Sequence, residues 1–314
     1  MEPLRNQSSL HPMVHLTGIP GLETRYIGVS FSFCIMYAIA FLGNGVVLLV
    51  IVKDQSLHKP MYLFLYMLAV SELGVSISTL PTVLGVFLFD AKEIGLDVCL
   101  SQMFFMHYFT MTDSGVLWVM ALDRFIAIYN PLQYTTILTT FRIILIGLGI
   151  AMRSVLLVAP LPLLLRRLPF CRPNVLAHPY CMHPDLIQLP CADTRVNSIY
   201  GLFVLLSTCG LDFLCIVLSY MMILKTVLTM ASKEGRLKAL NTCVSHICAV
   251  MLYYTPLIAL SMVHRFSKHN SLMLHSLMAN IYLLVPPILN PIIYSIKTKE
   301  IRKALGRLFS QKKF

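Results

Sequence analysis

The stretch Met120-Ala-Leu-Asp123-Arg124-Phe-Ile-Ala-Ile-Tyr129 places an acid and a base side by side at the end of a long apolar segment. An Asp-Arg pair is costly in hydrocarbon, so it should lie where the helix meets an aqueous boundary. There the carboxylate of Asp123 can hold the guanidinium of Arg124 until a partner or a rearrangement takes it. The pattern therefore predicts a membrane helix with a charged switch at its inner end.

The composition of the 314 residues is that of a membrane protein, because 57% are hydrophobic and only 12% are charged. Several apolar segments are interrupted by proline, glycine or a single charge, which transmembrane helices tolerate. We predict an all-α membrane protein, a seven-transmembrane helix bundle that occupies residues 26–296. The seven segments long enough to cross about 30 Å of hydrocarbon lie at about residues 26–52, 61–89, 98–128, 142–165, 197–229, 239–263 and 273–296.

Lysines and arginines in the short loops predict the orientation of these segments. Most of the basic residues lie on one side, which should face the cytoplasm: Lys53, Lys59, Arg142, Lys225, Lys233, Arg236, Lys238 and those of the tail after residue 296. Basic residues on the other side are offset by acids. The net charge of +11 therefore reflects topology and attraction to lipid headgroups, and not nucleic-acid binding.

Residues 1–25 and 297–314 flank the bundle. The first stretch is polar and contains the sequon Asn6-Gln7-Ser8, which predicts an extracellular tail glycosylated at Asn6. No cleavable signal peptide is evident, so we expect the first segment to act as an uncleaved anchor. Residues 297–314 place Ile301, Leu305, Leu308 and Phe309 on one face, which predicts a cytoplasmic amphipathic helix on the membrane surface.

Four of the nine cysteines fall on the predicted outer side: Cys99 opens the third segment, and Cys171, Cys181 and Cys191 lie in a long loop at about residues 166–196. Three pairings are possible, and the sequence alone does not choose among them. The absence of Cys-x-x-Cys or a nearby histidine pair argues against zinc. We expect structural disulfides.

Several further motifs lie along nearly the whole chain: Gly43-Asn44, Leu57 to Leu65, Asp123-Arg124 with Asn130-Pro-Leu132, Ser219-Tyr220, Lys238 to His246, and Pro286-Pro-Ile-Leu-Asn290-Pro291-Ile-Ile-Tyr294. Together they resemble the motifs of odorant receptors in the rhodopsin-like G protein-coupled family, and within it the class I, or fish-like, branch. The resemblance implies a plasma-membrane receptor for a small volatile or water-soluble ligand, which activates a stimulatory G protein and raises cyclic AMP.

The resemblance also implies the disulfides Cys99–Cys181 and Cys171–Cys191, the first of which ties the third segment to the long loop. Each such bond typically stabilises a fold by about 2–4 kcal/mol.

The mid-membrane acids Glu72 and Asp113 meet in the family's fold. Most relatives carry Asp in the second segment and Glu in the third, and here the two are exchanged. With Asn44 and Asn290 nearby, these oxygen ligands would suit a sodium ion that favours the inactive state. The alternative is a hydrogen-bonded, partly protonated carboxyl pair without an ion. No other cofactor is expected.

Arg265 carries the ligand hypothesis, because it lies nine residues beyond Pro256, about 13 Å along the helix. It could extend to the lipid headgroups or turn inward. In class I receptors that resemble this chain, the matching arginine grips a carboxylate with its planar fork. We therefore expect a short to medium carboxylic acid as ligand. The other candidate ligand-binding residues are His107, Ser261, His264, Tyr108, Met111, Thr112 and Ile258, for some of which ordinary packing or bonding within the helix is the alternative.

The resemblance implies a switch that couples this pocket to a G protein. Pro256, beside Tyr254, weakens the sixth segment so that its inner half can swing. Arg124 should be held by Asp123 and by His246 or Thr242, and released on activation. The remaining switch residues implied by the family are Tyr220, Asn290, Pro291 and Tyr294.

Two other classes of protein compete with the receptor. An ion channel or transporter would use the intramembrane acids Glu72, Asp113 and Asp212 as a path, although no internal repeat supports a transporter. A membrane enzyme would need a catalytic motif such as His-Glu-x-x-His or Gly-x-Ser-x-Gly, and none is present. Neither class predicts Asp123-Arg124 at an inner boundary, so we predict a receptor that is not an enzyme.

Overall fold

The computed structural model describes residues 13–18, 26–171, 174–176, 178–266 and 272–310. These residues form a bundle of seven long helical segments, which confirms the predicted fold class. We call the segments spans one to seven. We call the end with the disulfides the outer end, and the end with Asp123 and Arg124 the inner end. The spans are Tyr26–Lys53, Pro60–Phe89, Leu96–Tyr129, Thr140–Arg166, Arg195–Thr229, Lys233–Phe266 and Leu272–Lys297.

Span three lies at the centre of the bundle. It packs against spans two, four, five and six, so much of its surface faces protein and not lipid. The other six spans are long and apolar enough to cross a membrane by length and composition alone. Span three is more polar because it carries groups such as Asp113, Asp123 and Arg124, all of which are buried. A buried central helix can hold polar groups that would be costly against lipid.

Two spans are interrupted along their length. Span four consists of the helices Thr140–Val158 and Pro160–Arg166, where Pro160 begins the second helix. Span five consists of Arg195–Leu205, a π-helical turn at Leu206–Gly210, and Leu211–Thr229. A π-helical turn adds a residue to the helix and changes which side chains face the bundle. In span five it buries Thr208 and Cys209 against span three.

A three-stranded sheet lies at the outer end, which the prediction of an all-α chain did not include. Its strands are β1 (Met13–Leu16), β2 (Glu93–Gly95) and β3 (Asn174–Leu176). The central strand β1 pairs antiparallel with β2 and parallel with β3. Strands of three or four residues carry too little periodicity to be recognised in a sequence, because their pairing partners lie far away along the chain.

Short helices complete the chain at Gln55–Leu57, Tyr134–Ile137, His183–Leu186 and Lys299–Ser310. The last of these is the amphipathic helix expected after span seven. Ile301 and Ala304 on its apolar face are buried. The side chain of Phe309, also expected on this face, lies outside the described residues. Nη2 of Arg307 lies 2.7 Å from Oδ2 of Asp54. This ion pair ties the helix to the loop between spans one and two.

Candidate functional site

Two disulfides hold a roof over the outer end of the bundle. Cys99 at the start of span three is bonded to Cys181, and Cys171 is bonded to Cys191. The backbone N–H of Cys181 also donates to Oε1 of Gln102 at 2.9 Å. The loop after span four is therefore fixed to span three at one point and closed on itself at another.

A cavity of about 320 Å³ lies beneath this roof, among spans three, five, six and seven. A volume of this size is typical of a site for a small organic molecule. Of the predicted ligand-binding residues, His107, Met111 and Ser261 line it. Arg265 and His264 belong to the last turn of span six, but their side chains lie outside the described residues.

Three of the predicted ligand-binding residues do not line this cavity, contrary to expectation. The ring of Tyr108 stacks on Phe104 with centroids 6.2 Å apart. The hydroxyl of Thr112 donates to the carbonyl of Tyr108 at 2.8 Å and to Ser154 in span four. Ile258 is 46% exposed. Adjacent helix positions differ by about 100°, so the helix faces that carry His107, Met111, Leu257 and Leu260 turn these three side chains away.

The cavity has further lining residues that the sequence analysis missed, most of them in the roof and in span five. Loop residues cannot be assigned to a cavity by helical periodicity. The only sequence signal for the roof is its closeness to Cys181. The missed residues are Met106, Thr110, Leu161, Met182, His183, Asp185, Ile187, Ser198, Ile199, Gly201, Leu202, Val204, Leu205, Leu257 and Tyr282.

Two histidine rings line the cavity, those of His107 and His183, with centroids 6.5 Å apart in an edge-to-face arrangement. Nδ1 of His107 lies 2.9 Å from the carbonyl of Met103, so Nδ1 carries the proton and Nε2 is left as an acceptor. Burial, followed by the proximity of His107, lowers the pKa of His183 to about 3. Nε2 of His183 is buried and has no hydrogen-bond partner among the described residues. The cavity therefore offers neutral imidazole groups to a ligand.

Below the cavity, a buried polar network joins spans three, four, five and six. Arg153 donates to Asp212 through Nη1 at 2.7 Å and Nη2 at 2.6 Å. Ser114 donates to Oδ2 of Asp212 at 3.0 Å and lies 2.8 Å from the hydroxyl of Tyr254. The sequence alone does not indicate which residue pairs with Asp212. Its partner is Arg153, the single arginine in the middle of span four.

A second contact ties span six to span three at the same depth. The hydroxyl of Tyr253 donates to the backbone carbonyl of Thr110 at 2.7 Å. Thr110 lines the cavity, and Tyr253 precedes Pro256 by one helical turn. This hydrogen bond therefore links the cavity wall to the turn of span six that Pro256 weakens.

The acids Glu72 and Asp113 each accept a hydrogen bond from a side chain of another span. The side-chain amide of Asn290 in span seven donates to Glu72, and the hydroxyl of Ser71 donates to Asp113. Asn44 donates to the carbonyls of Ala40 and Pro287, at 3.0 and 2.9 Å. Asp212 belongs to the separate network around Arg153. The three acids therefore have different hydrogen-bond partners.

At the inner end, Asp123 holds Arg124 in a buried ion pair. The hydroxyl of Tyr134, from the loop after span three, also donates to Asp123 at 2.6 Å. The residue after Asn290 in the span-seven motif, Pro291, packs against Gly43 of span one, where an added Cβ would lie 2.9 Å from the proline ring. The inner halves of spans one and seven are therefore closely apposed.

His246 does not hold Arg124, contrary to expectation. Its Nε2 lies 3.0 Å from the backbone carbonyl of Leu117, and its Nδ1 lies 2.7 Å from the hydroxyl of Tyr220. A carbonyl only accepts, so Nε2 donates and Tyr220 donates to Nδ1. His246 thus joins spans three, five and six. The alternative holder, Thr242, has a side chain outside the described residues.

Tyr294, another of the switch residues implied by the family, is buried in span seven. Its hydroxyl has no hydrogen-bond partner among the described residues. An unsatisfied buried hydroxyl is uncommon and is consistent with a group that finds its partner in another conformation.

Comparison with known proteins agrees with this architecture. A profile of the family described as "Olfactory receptor" matches residues 33–312. Human olfactory receptor 51I2 is 55% identical over 300 residues, which cover 95% of this chain and 96% of that protein. Human olfactory receptors 51F2 and 51L1 are 52% and 53% identical, and cover 98% and 97% of this chain and 90% and 96% of their own lengths.

These similarities cover nearly the whole chain, including the cavity, the network below it and the inner end. Relatives of this kind are receptors and not enzymes. The chain therefore belongs to the olfactory receptor family of G protein-coupled receptors, in its class I branch, and is a multi-pass protein of the plasma membrane.

Proposed function

We propose that this olfactory receptor binds a short to medium carboxylic acid in the outer cavity and activates a stimulatory G protein that raises cyclic AMP. The observation that carries the proposal is the cavity itself. It lies under a stapled roof, and Ser261 of span six lines it. Arg265 follows Ser261 by four residues in the same helix. Residues four apart share a helix face, so this spacing supports an Arg265 directed to the cavity's outer rim.

A charged anchor explains how a small acid could be bound at all. A molecule of only a few heavy atoms gains little from apolar contact, and a desolvated bidentate pair with an arginine can supply much of its affinity. Asp185 also lines the cavity, but its Oδ2 lies 2.9 Å from Nε2 of His178. The carboxylate of Asp185 is therefore already engaged by His178.

The polar network offers a route from the cavity to the inner end. A ligand that shifts span five or six must move Tyr254 or Asp212, because both bond to Ser114 of span three. Span three continues to Asp123 and Arg124. We infer that this movement weakens the hold of Asp123 on Arg124 and frees the guanidinium to contact the G protein or Tyr294.

We propose that a sodium ion binds between spans two, three and seven and favours the inactive state. The oxygens of Glu72, Asp113 and Ser71 fit a hard cation. Oδ1 of Asn290 is also buried and has no partner among the described residues. The described residues contain no cluster of three or more His, Cys, Asp or Glu side chains that could hold a metal, so such an ion would need amide and hydroxyl oxygens in addition to the carboxylates of Glu72 and Asp113.

We propose that the outer end is extracellular and that the inner end faces the cytoplasm. The two disulfides at the outer end suit an oxidising compartment. The helix Lys299–Ser310 at the inner end has an apolar face against the bundle and exposed basic residues such as Arg302 and Lys303, which suits contact with lipid headgroups. The sequon at Asn6, which lies outside the described residues, would then be extracellular and available for glycosylation.

The test is cyclic AMP accumulation in cells that express the wild type, with straight-chain acids of about two to twelve carbons and their methyl esters as ligands. We expect acids to activate and esters to fail, because an ester has no charge for Arg265. Arg265→Ala should abolish the response, and Arg265→Lys should weaken it. Arg195→Ala is the matched control, because Arg195 is an exposed arginine at the outer end of span five. Equal responses to acids and esters would contradict the carboxylate proposal.

A further inference from the structure

The roof of the cavity is closely packed. Tyr180 and Cys181 are completely buried, and Met182 and His183 are 6% and 5% exposed. His183 also fits tightly against span five, since a Cβ at Gly201 would lie 2.5 Å from the ring of His183. Together with the disulfides, this packing leaves little space for a ligand to pass through the roof.

The wall formed by span five is less closed than the roof, because its lining residues include both buried and exposed side chains. Val204, which lines the cavity, is only 1% exposed and marks the inner face. Ile199 also lines the cavity, yet it is 69% exposed. Ser198 beside it is exposed as well. The cavity therefore reaches the surface of the bundle at these two residues.

The neighbours of span five show where this opening lies. On one flank, the hydroxyl of Tyr200 donates to the carbonyl of Leu157 at 2.9 Å, so the outer half of span five is closed against span four. Span six packs against the inner half of span five, Leu211–Thr229. Higher up, the half-buried residues Leu257 and Ser261 of span six line the cavity from the opposite side. The opening therefore lies between the outer halves of spans five and six.

We propose that ligands enter the cavity from the outer leaflet of the membrane through this lateral entrance, formed by Ser198, Ile199, Leu202, Leu257 and Ser261. The inference deepens the proposed function, on which it rests, by adding a selection step before binding. Each added CH₂ raises partition into hydrocarbon about fourfold, so the entrance favours ligands with an apolar tail. Ile199 and Leu202 are thus specificity-determining residues. Ser198 and Ser261 are the polar groups that the polar end of an entering ligand contacts.

The test uses the full chain in lipid nanodiscs and needs no agonist. The chain contains a single tryptophan, Trp118, so Trp118→Phe combined with Leu260→Trp places one fluorescent reporter in the cavity wall. The quencher is 1-bromooctane, which dissolves in the bilayer. Aqueous iodide serves as the polar quencher. Tyr282→Trp is a second reporter in case the first variant does not fold, because Tyr282 lines the cavity from span seven and is not part of the entrance.

We expect 1-bromooctane to quench the reporter strongly and iodide to quench it weakly. Adding Ile199→Phe and Leu202→Phe should reduce quenching by 1-bromooctane at least threefold, because the larger rings narrow the entrance. Val196→Phe is the matched control, because Val196 is 66% exposed on the same helix and does not line the cavity. Equal quenching in the blocked and control proteins, or stronger quenching by iodide, would overturn the proposal. Either result is independent of whether carboxylic acids activate the receptor.

Discussion

Arg153 of span four and Asp212 of span five form a buried ion pair joined by two parallel hydrogen bonds, of 2.7 and 2.6 Å. Asp212 is 1% exposed, and the side chain of Arg153 is 26% exposed. Removing one partner of a buried pair leaves an uncompensated charge, which typically costs about 3–5 kcal/mol. The pair therefore holds spans four and five together only while both members are present.

We predict that Asp212→Leu and Arg153→Met each lower surface expression and thermal stability sharply, and that the double variant recovers much of the loss. The reason is that the double variant removes both charges, whereas each single variant strands one in the membrane interior. Flow cytometry of surface receptor and thermal unfolding of purified protein measure the effect. The control pair is Asp193 and Arg195, which are 71% and 87% exposed at their side chains. Losses that simply add in the double variant would contradict the prediction.

Gly115 leaves space for the guanidinium of Arg153. A Cβ at this position would lie 2.9 Å from Nη2 of Arg153 and 2.7 Å from Cγ2 of Ile150. We predict that Gly115→Ala destabilises the receptor by about 1–3 kcal/mol through overpacking, visible as a lower melting temperature. Gly149→Ala in span four is the control, because its Cβ would meet nothing within 4 Å. A melting temperature unchanged from wild type in Gly115→Ala would show that span four can move aside.

His246 ties span six to span three through the carbonyl of Leu117 and to span five through Tyr220. We predict that His246→Phe raises cyclic AMP in the absence of ligand, because span six loses about 1–3 kcal/mol of buried hydrogen bonding in a conformation where Asp123 still holds Arg124. Tyr220→Phe should have a smaller effect, because the bond to Leu117 remains. Cys248→Ala, at a half-buried site on the same helix, is the control. Basal activity at or below wild type in His246→Phe would refute this role.

The low pKa of His183 predicts a dependence of stability on pH. This pKa is about 3 in the folded protein and about 6.5 in an unfolded chain. As the pH falls below about 6.5, the unfolded state binds a proton that the folded state does not, so stability decreases. Between pH 7.5 and 5 we expect His183 to cost about 2 kcal/mol.

Melting curves of the wild type and His183→Gln at the two pH values test this prediction. The glutamine has no titrating group, so its melting temperature should fall less on acidification. The same decrease in both proteins would place the pH dependence elsewhere in the chain.

Sodium should stabilise the receptor if it binds near Glu72 and Asp113. We predict that NaCl raises the melting temperature more than KCl at the same ionic strength, because the site must fit the smaller ion. Glu72→Gln and Asp113→Asn should remove the difference between the two salts, since each deletes a charged oxygen ligand. If NaCl and KCl act alike on the wild type, the hydrogen-bonded carboxyl pair is sufficient by itself.

The candidate site was predictable where a residue's role follows from its position along one helix. His107, Met111 and Ser261 line the cavity, and Asp123 and Arg124 lie near the end of span three. Tyr108, Thr112 and Ile258 belong to the same helices and do not line the cavity, because a one-residue step rotates a side chain by about 100°. An apolar helix surface alone does not say which of its faces meets a cavity and which meets lipid.

The sequence alone determined the number of spans, the class of protein and the presence of outer cysteines. These depend on composition, segment length and short motifs, all of which are properties of neighbouring residues. The tertiary structure decided the pairing of Arg153 with Asp212, the bonding of His246, the central place of β1 and the opening between spans five and six. Each of these joins residues far apart in the chain, and only the packing of the helices fixes which distant groups come within hydrogen-bonding distance.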